Sequence, residues 1–336
     1  MIRYRGENLP VGCRIAVVAN DALGNFVVVT PLMQMLRVKF RPSALHFYSG
    51  RKTQEIWSQS TFIDSGFVVD PENVSTTIEG SFEDYDLIFN MESADWAKRL
   101  TCLLASERSA ICGPCFENDG DKQLPFDTSQ EGLLASDPNW LDPNLQLRYP
   151  FLESHYIGEI FCRIAHLSGR VPKPEVISHA PNIEVPDVLI STSASLEEKL
   201  WPVEGWLTLT QWLRDRGYSV GVIGARPEDQ KRFWFGAASE DAILMNGLAV
   251  DLRGKLTLPQ VAGALAVAKL CVSLDNGVLH VATSVGTPSV GLYRFGFDRL
   301  WAQPAADLAP LAANKGTTVS SIETWRVLDA VERSVD

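Results

Sequence analysis

The chain has 336 residues, of which 46% are hydrophobic and 21% charged, and its formal net charge is −11. That length accommodates two domains with separate cores, and the acidic balance argues against a general nucleic-acid binder, which needs a basic field to displace counterions from phosphate. No apolar run approaches the roughly eighteen residues of a bilayer span, and the N-terminus lacks a signal-peptide core. A soluble, cytoplasmic protein with no transmembrane segment is expected.

Residues 14–20, RIAVVAN, make a β-branched run suited to a buried parallel strand. In 26–40, Val29, Leu32, Met33, Leu36 and Phe40 recur at helical spacing, with Pro31 placed in a first turn. A strand over 44–50 completes a βαβ unit, and 84–91 reads as a further strand. Residues 118–150 are rich in Asp, Pro, Asn and Ser and read as a mobile flap with short helices. Cys112 and Cys115 form a Cys-x-x-Cys pair, but neither zinc spacing nor a thioredoxin-like context accompanies it. The pair reads as a turn carrying two thiols.

An amphipathic helix over 154–169 precedes a proline-rich stretch, 170–186, that marks a boundary between a domain of residues 1–180 and one of 181–320. The closing segment, 321–336, is expected to form a helix packing back on the first domain. After the boundary come strand 187–192, helix 203–217, strand 218–224, a helix opening at RPED, helix 256–268, strand 269–274, a helix after Asn276 and strand 288–293. Strand-helix alternation in both halves predicts an α/β protein of two Rossmann-like, doubly wound domains facing across a cleft. Ligands of such sheets sit beyond the carboxyl ends of the strands, against helix N-termini.

Residues 273–293, SLDNGVLHVATSVGTPSVGLY, place Asp275, Asn276 and Gly277 at such an edge, with His280 in the first helical turn and Gly286, Thr287 and Pro288 closing the helix. Asp275 or Asn276 can cap the helix, Gly277 allows close backbone approach, and the N-terminal amides suit an anion such as a diphosphate. Taken alone, a plain N-cap and a satisfied core histidine explain these residues as well.

The surrounding pattern resembles the nucleotide-sugar signature of glycosyltransferase family 9, the bacterial heptosyltransferases: Asp-Thr-Gly, a histidine three residues on, an Ala-rich helix, Gly-x-Pro and a strand. Asn276 stands where the family has Thr. The resemblance implies the GT-B fold, and in SASLEEKLWP it implies that Ser195 and Lys199 meet the donor phosphates. It likewise implies that Glu228, in VIGARPEDQKRF, receives the ribose hydroxyls and that Leu256 lies against the base. Near the N-terminus, DALGNFVVVTP resembles the family's Leu-Gly-Asp loop, whose Asp is the proposed general base. Here Asn25 takes that place, and an amide cannot accept the proton.

Three alternatives follow: Asp21 serves as base, the acceptor ionises readily or is an amine, or the protein binds a nucleotide sugar without efficient transfer. The implied function is inverting, metal-independent transfer of a sugar, heptose or a relative, from an ADP-linked donor to a saccharide or small-molecule acceptor. Arg37, Lys39, Arg41, Arg51 and Lys52 could attract an anionic acceptor, although solvated surface charge explains them equally. The nucleotide sugar is a co-substrate, and no other cofactor and no metal is expected. Asp275, Asn276, Gly277, His280 and Lys199 would stabilise the departing diphosphate, and Lys199→Ala is expected to lower turnover while leaving folding intact. A nucleotide-sugar epimerase or hydrolase of similar fold and a non-catalytic binding protein are the rival readings.

Overall fold

In the computed structural model the described residues are 1–77, 84–117, 120, 122–304 and 307–335. They fall into two units, divided between Glu175 and Val176 within the proline-rich stretch. The first unit contains strands β1 (Ile2–Arg3), β2 (Arg14–Val18), β3 (Ala44–Ser49), β4 (Ser65–Val68), β5 (Leu87–Asn90) and β6 (Ala110–Cys112), ordered β1-β6-β5-β2-β3-β4. The second contains β7 (Val188–Ser191), β8 (Val220–Val222), β9 (Val250–Asp251), β10 (Leu270–Leu274), β11 (Ser289–Tyr293) and β12 (Leu308–Ala312), ordered β12-β11-β10-β7-β8-β9. Neighbouring strands run parallel in both sheets. β10 and β11 are buried at every position, without alternation. Helices that cover both faces of a parallel sheet leave no strand face for water.

Strand order reverses between β2 and β5 in the first sheet and between β7 and β10 in the second. Loops leaving such neighbouring strands part to opposite faces, and a crevice opens at their carboxyl ends. The expected strands at 14–20, 44–50, 84–91, 187–192, 218–224, 269–274 and 288–293 are present, whereas β1, β4, β6, β9 and β12 had no sequence signal. Two of these, β1 and β9, are only two residues long.

The first helix spans Leu23–Phe40, so Pro31 lies in its interior rather than in its first turn. Proline has no amide to give the carbonyl four residues back. The Thr30 hydroxyl supplies the missing donor, 2.8 Å from the oxygen of Val27, and its own oxygen accepts the amide of Glu175 at 3.0 Å. Helix Ile157–Ile164 packs on this helix at Gly158, where a Cβ would stand 3.0 Å from the Val28 carbonyl.

The stretch expected as a mobile flap is tied down over its described residues. It carries helices Gln130–Ala135 and Leu145–Arg148, anchored by the fully buried Leu134 and Leu145 and by Arg148 against Asp137. Residues 118, 119 and 121 of that expectation lie outside the described residues. The closing helix, Thr324–Val335, was expected against the first domain. Its Val327, Ala330 and Val331 are buried in the second unit's core with Trp206, Leu209 and Leu213.

Thr30→Val keeps the shape of a fully buried side chain but strands the Val27 carbonyl and the Glu175 amide. A loss of about 2 kcal/mol is expected in chemical denaturation, with no change in the far-ultraviolet spectrum of the folded protein.

Candidate functional site

β7 delivers residues 192–200 to the switch point of the second sheet, and β10 delivers Asp275 and Asn276 beside them. The first segment is set by Trp201, whose indole N–H donates to Ile322 O at 2.7 Å and whose ring meets Trp206 edge to face at 5.1 Å. A one-turn 3-10 helix, Glu197–Lys199, then aims Lys199 across the strand ends. Its Nζ donates to Asp275 Oδ2 at 2.8 Å and to the Asp275 carbonyl at 3.1 Å. The Asp275 side chain is only 5% exposed and that of Lys199 14%.

His280 Nε2 lies 3.7 Å from Asp275 Oδ1, too long for a good hydrogen bond. The imidazole is buried and packs edge to face on Trp301. Burial alone would raise the Asp275 carboxyl, but the His280 ring and the Lys199 ammonium outweigh it and hold the group below its ordinary value.

Asn276 caps helix Gly277–Val285, its Oδ1 accepting the amides of Val278 at 2.9 Å and Leu279 at 3.3 Å. Its Nδ2 donates to Ser193 O at 2.8 Å and Ser191 Oγ at 3.1 Å, so the residue also ties the β10 exit to the β7 exit. The cap therefore uses two of the first-turn amides expected to receive an anion, and Gly277 N stays outside it. Gly286 closes the helix in the left-handed region, φ 84°, as glycine there should. An ammonium has three N–H donors, and two of those of Lys199 point at Asp275. That leaves one donor of Lys199 beside the positive end of the helix, a combination that suits phosphate.

The other expected donor residues lie on loops leaving the same sheet edge. Ser195 is exposed, Glu228 is exposed in the first turn of helix Pro227–Phe233, and half-buried Leu256 precedes the Thr257 capping box. Arg294, after β11, pairs with Glu198 and lies 3.7 Å over the Phe297 ring. A concavity of about 760 Å³ in this unit is lined by Leu196, Glu197, Trp201, Gly236, Ser239 and Thr318 among others, and by none of the expected donor residues.

A second charged cluster escaped the sequence reading. Arg253, 8% exposed, meets Glu240, Asp241 and Asp251 at 3.0–3.1 Å, and Glu240 Oε1 is buried without a hydrogen-bond partner among the described residues. Burial drives the Glu240 carboxyl up to about 7 despite the neighbouring guanidinium. The signal in the sequence was the group of charges in 240–253, SEDAILMNGLAVDLR read from 239, which has no helical or strand period that would bring them together.

In the first unit, Asp21 follows β2 and its carboxylate accepts the amides of Lys52 and Thr53 and the Thr53 hydroxyl, at 3.0–3.1 Å. Asn25 is half-buried in the first turn of helix Leu23–Phe40. Glu92, after β5 at the same switch point, accepts from Asn20 Nδ2 at 2.7 Å and from the amides of Ser93 and Ala94. Both carboxylates are thus occupied by loop amides and short polar side chains. Among the described residues no group of three or more His, Cys, Asp or Glu is placed to hold a metal.

Two parallel doubly wound sheets, the second with a buried ammonium and imidazole at its switch point, belong to the GT-B class of glycosyltransferase folds. Residues 171–324, a little under half of the chain, match the family model of glycosyltransferase family 9 (heptosyltransferase), so over that part the chain is similar to this family. The lipopolysaccharide core heptosyltransferase OpsX of Haemophilus influenzae is 26% identical over 168 residues, 46% of this chain and 47% of that protein. The chain thus spans about half the length of that curated relative. The glycosyl transferase family 9 protein of Veillonella parvula superposes with a TM-score of 0.74 at 16% identity, covering 97% of this chain and 98% of that one. Heptosyltransferase WaaC of E. coli, solved with ADP-2-deoxy-2-fluoro heptose, gives 0.63 at 16% identity, covering 95% and 99%. At these identities the two structures establish the shared fold.

The ion pair revises the expectation for Lys199→Ala, because removing the ammonium leaves Asp275 buried without its cation. A loss of about 3 kcal/mol is expected in denaturant titrations, and adding Asp275→Asn should recover most of it. Because the folded Asp275 carboxyl is lowered, the pair stabilises above its ordinary titration near pH 4 and is lost as pH falls further. The gap between wild type and Lys199→Ala should be full above that point and close below it. Glu240 has the opposite sign: its folded carboxyl is raised, so its contribution is present at low pH and is lost as pH rises toward 7. Glu240→Gln should therefore gain stability relative to wild type between about pH 5 and 8, by on the order of 1–3 kcal/mol, as followed by melting temperature in matched buffers.

Proposed function

We propose that the protein is an inverting, metal-independent glycosyltransferase that moves a sugar, heptose or a close relative, from an ADP-linked donor to a saccharide or small-molecule acceptor. The observation that carries this reading is the Lys199, Asp275 and His280 cluster at the second switch point, within the residues that match family 9. The lipopolysaccharide heptosyltransferase named among the relatives supports heptose as the sugar, and the ADP-sugar analogue held by WaaC suggests the nucleotide to try first.

In this mechanism the acceptor's nucleophile attacks the anomeric carbon as the bond from that carbon to the diphosphate oxygen breaks. The electron pair leaves with the diphosphate. The free N–H of Lys199, the His280 imidazole and the Gly277 amide meet the charge that develops there. Asp275 does not touch the donor on this reading; it holds Lys199 in place. Ser195 adds a hydroxyl to the phosphates, Glu228 receives the ribose hydroxyls and Leu256 lies against adenine. Asp21 would have to leave three hydrogen bonds to act as base, which favours an acceptor that is an amine or ionises readily.

Purified protein incubated with ADP-heptose and candidate acceptors should release ADP only when an acceptor is present, with inversion at the transferred sugar seen by NMR and no loss of rate in EDTA. The Lys199→Ala/Asp275→Asn protein should remain folded and lose about 100-fold or more in kcat. ADP released from donor alone would point to a hydrolase. Tight donor binding without turnover on any acceptor would point to a binding protein.

A further inference from the structure

The Cys-x-x-Cys sequence joins Cys112 to Cys115, but the fold pairs Cys115 with another thiol. Cys112 ends β6 fully enclosed, its Sγ 3.4 Å from the carbonyl of Ile164. At Gly113 the chain turns through φ 93°, where a Cβ would strike the Asn90 carbonyl at 1.9 Å, so only glycine fits. Past this turn Cys115 reaches helix Asp95–Leu104, and its Sγ lies 3.5 Å from that of Cys102. Both sulfurs sit against the Phe116 carbonyl, at 3.1 and 3.2 Å.

The two thiols are not equivalent. Cys115 is fully buried, whereas Cys102 is partly open to solvent. The hydrogen bond shared with Cys115, helped by the backbone at Phe116 and the charge of Arg99, outweighs burial and brings Cys102 down to about 7. Lys98 and Arg99 gather over the adjoining Phe116 ring, at 5.2 and 5.6 Å. Cys115 is pushed up by the bond that it shares with Cys102 and by burial, and burial raises Cys112 to about 12. A thiolate near neutral pH beside a protonated thiol is the arrangement of an attacking and a resolving cysteine.

We propose that Cys102 and Cys115 form an oxidisable pair that a hydroperoxide closes to an intramolecular disulfide, with Cys102 attacking and Cys115 resolving. In the first step the Cys102 thiolate attacks a peroxide oxygen, the O–O bond breaks, and sulfenic acid and hydroxide form. In the second the Cys115 sulfur displaces the sulfenic hydroxyl, which leaves as water with the thiol proton. Two thiols and one hydrogen peroxide become one disulfide and two waters. The new bond would fasten the last turn of helix Asp95–Leu104 to the segment after β6, which Arg3 already clamps through the carbonyls of Gly113 and Leu124.

The test treats the reduced, purified chain with hydrogen peroxide, blocks remaining thiols with N-ethylmaleimide and maps peptides by mass spectrometry without reduction. A Cys102–Cys115 link that dithiothreitol reverses is expected, formed at least about tenfold faster than oxidation of Cys13, Cys162 or Cys271, with Cys112 still alkylated. The rate of N-ethylmaleimide labelling at Cys102 should rise with a midpoint near pH 7. In Cys115→Ser, dimedone should trap a sulfenic acid at Cys102. A Cys112–Cys115 link, or Cys102 passing directly to sulfinic acid in the wild-type chain, would overturn the proposal. So would a pair left unoxidised while the remaining cysteines react.

Discussion

A carboxylate that ends a strand enclosed on both faces has almost no water around it, and it can stay charged there only if a cation comes to it. Asp275 is in that position, and Lys199 is the cation. The consequence reaches beyond the pair. Lys199 comes from the segment after β7 and Asp275 from the end of β10, so their attraction holds the two loops of the switch point at a fixed distance. Asn276 repeats the tie with neutral hydrogen bonds to Ser191 and Ser193. The two strand exits of the second sheet are therefore tied together by the protein's own side chains, with the His280 imidazole buried beside the pair.

The two units use their carboxylates differently. At the first switch point Asp21 and Glu92 are occupied by amides and by short polar side chains, and they hold loops in place. At the second, Asp275 orients a cation, and Glu240 sits raised beside Arg253 with an oxygen unpartnered among the described residues. Both of these buried ion pairs lie in the second unit, the part that matches the family model. The first unit, which the family model leaves almost wholly unmatched, holds Asn25 and also the thiol pair.

What could be read from the residues depended on length and period. β2, β3, β5, β7, β10 and β11 are mostly apolar runs of four to six residues, and each was visible because a strand covered on both faces favours apolar side chains at successive positions. β1 and β9, with two residues each, carry too little pattern to register. The start of the first helix was misplaced because Ala22 offers no side-chain cap, which left Pro31 looking like an opening residue. In the motif at 273–293, the cap, the closing glycine and the placing of His280 were all local features, and the structure has them where they were read. The role of Lys199 as the partner of Asp275 was not local, and neither was the exchange of Cys112 for Cys102.

The sequence by itself determined the alternation of strand and helix, the ends of the signature helix and the residue types gathered at the strand exits, because those follow from backbone propensity and burial over a few neighbouring residues. Which charges and thiols meet was decided by the tertiary structure. Lys199 and Asp275 are 76 residues apart in the chain, and only the order of β7 beside β10 makes them neighbours. Periodicity reports which face of an element is buried, but a pairing energy depends on distance and dielectric, and both are set when the sheet closes.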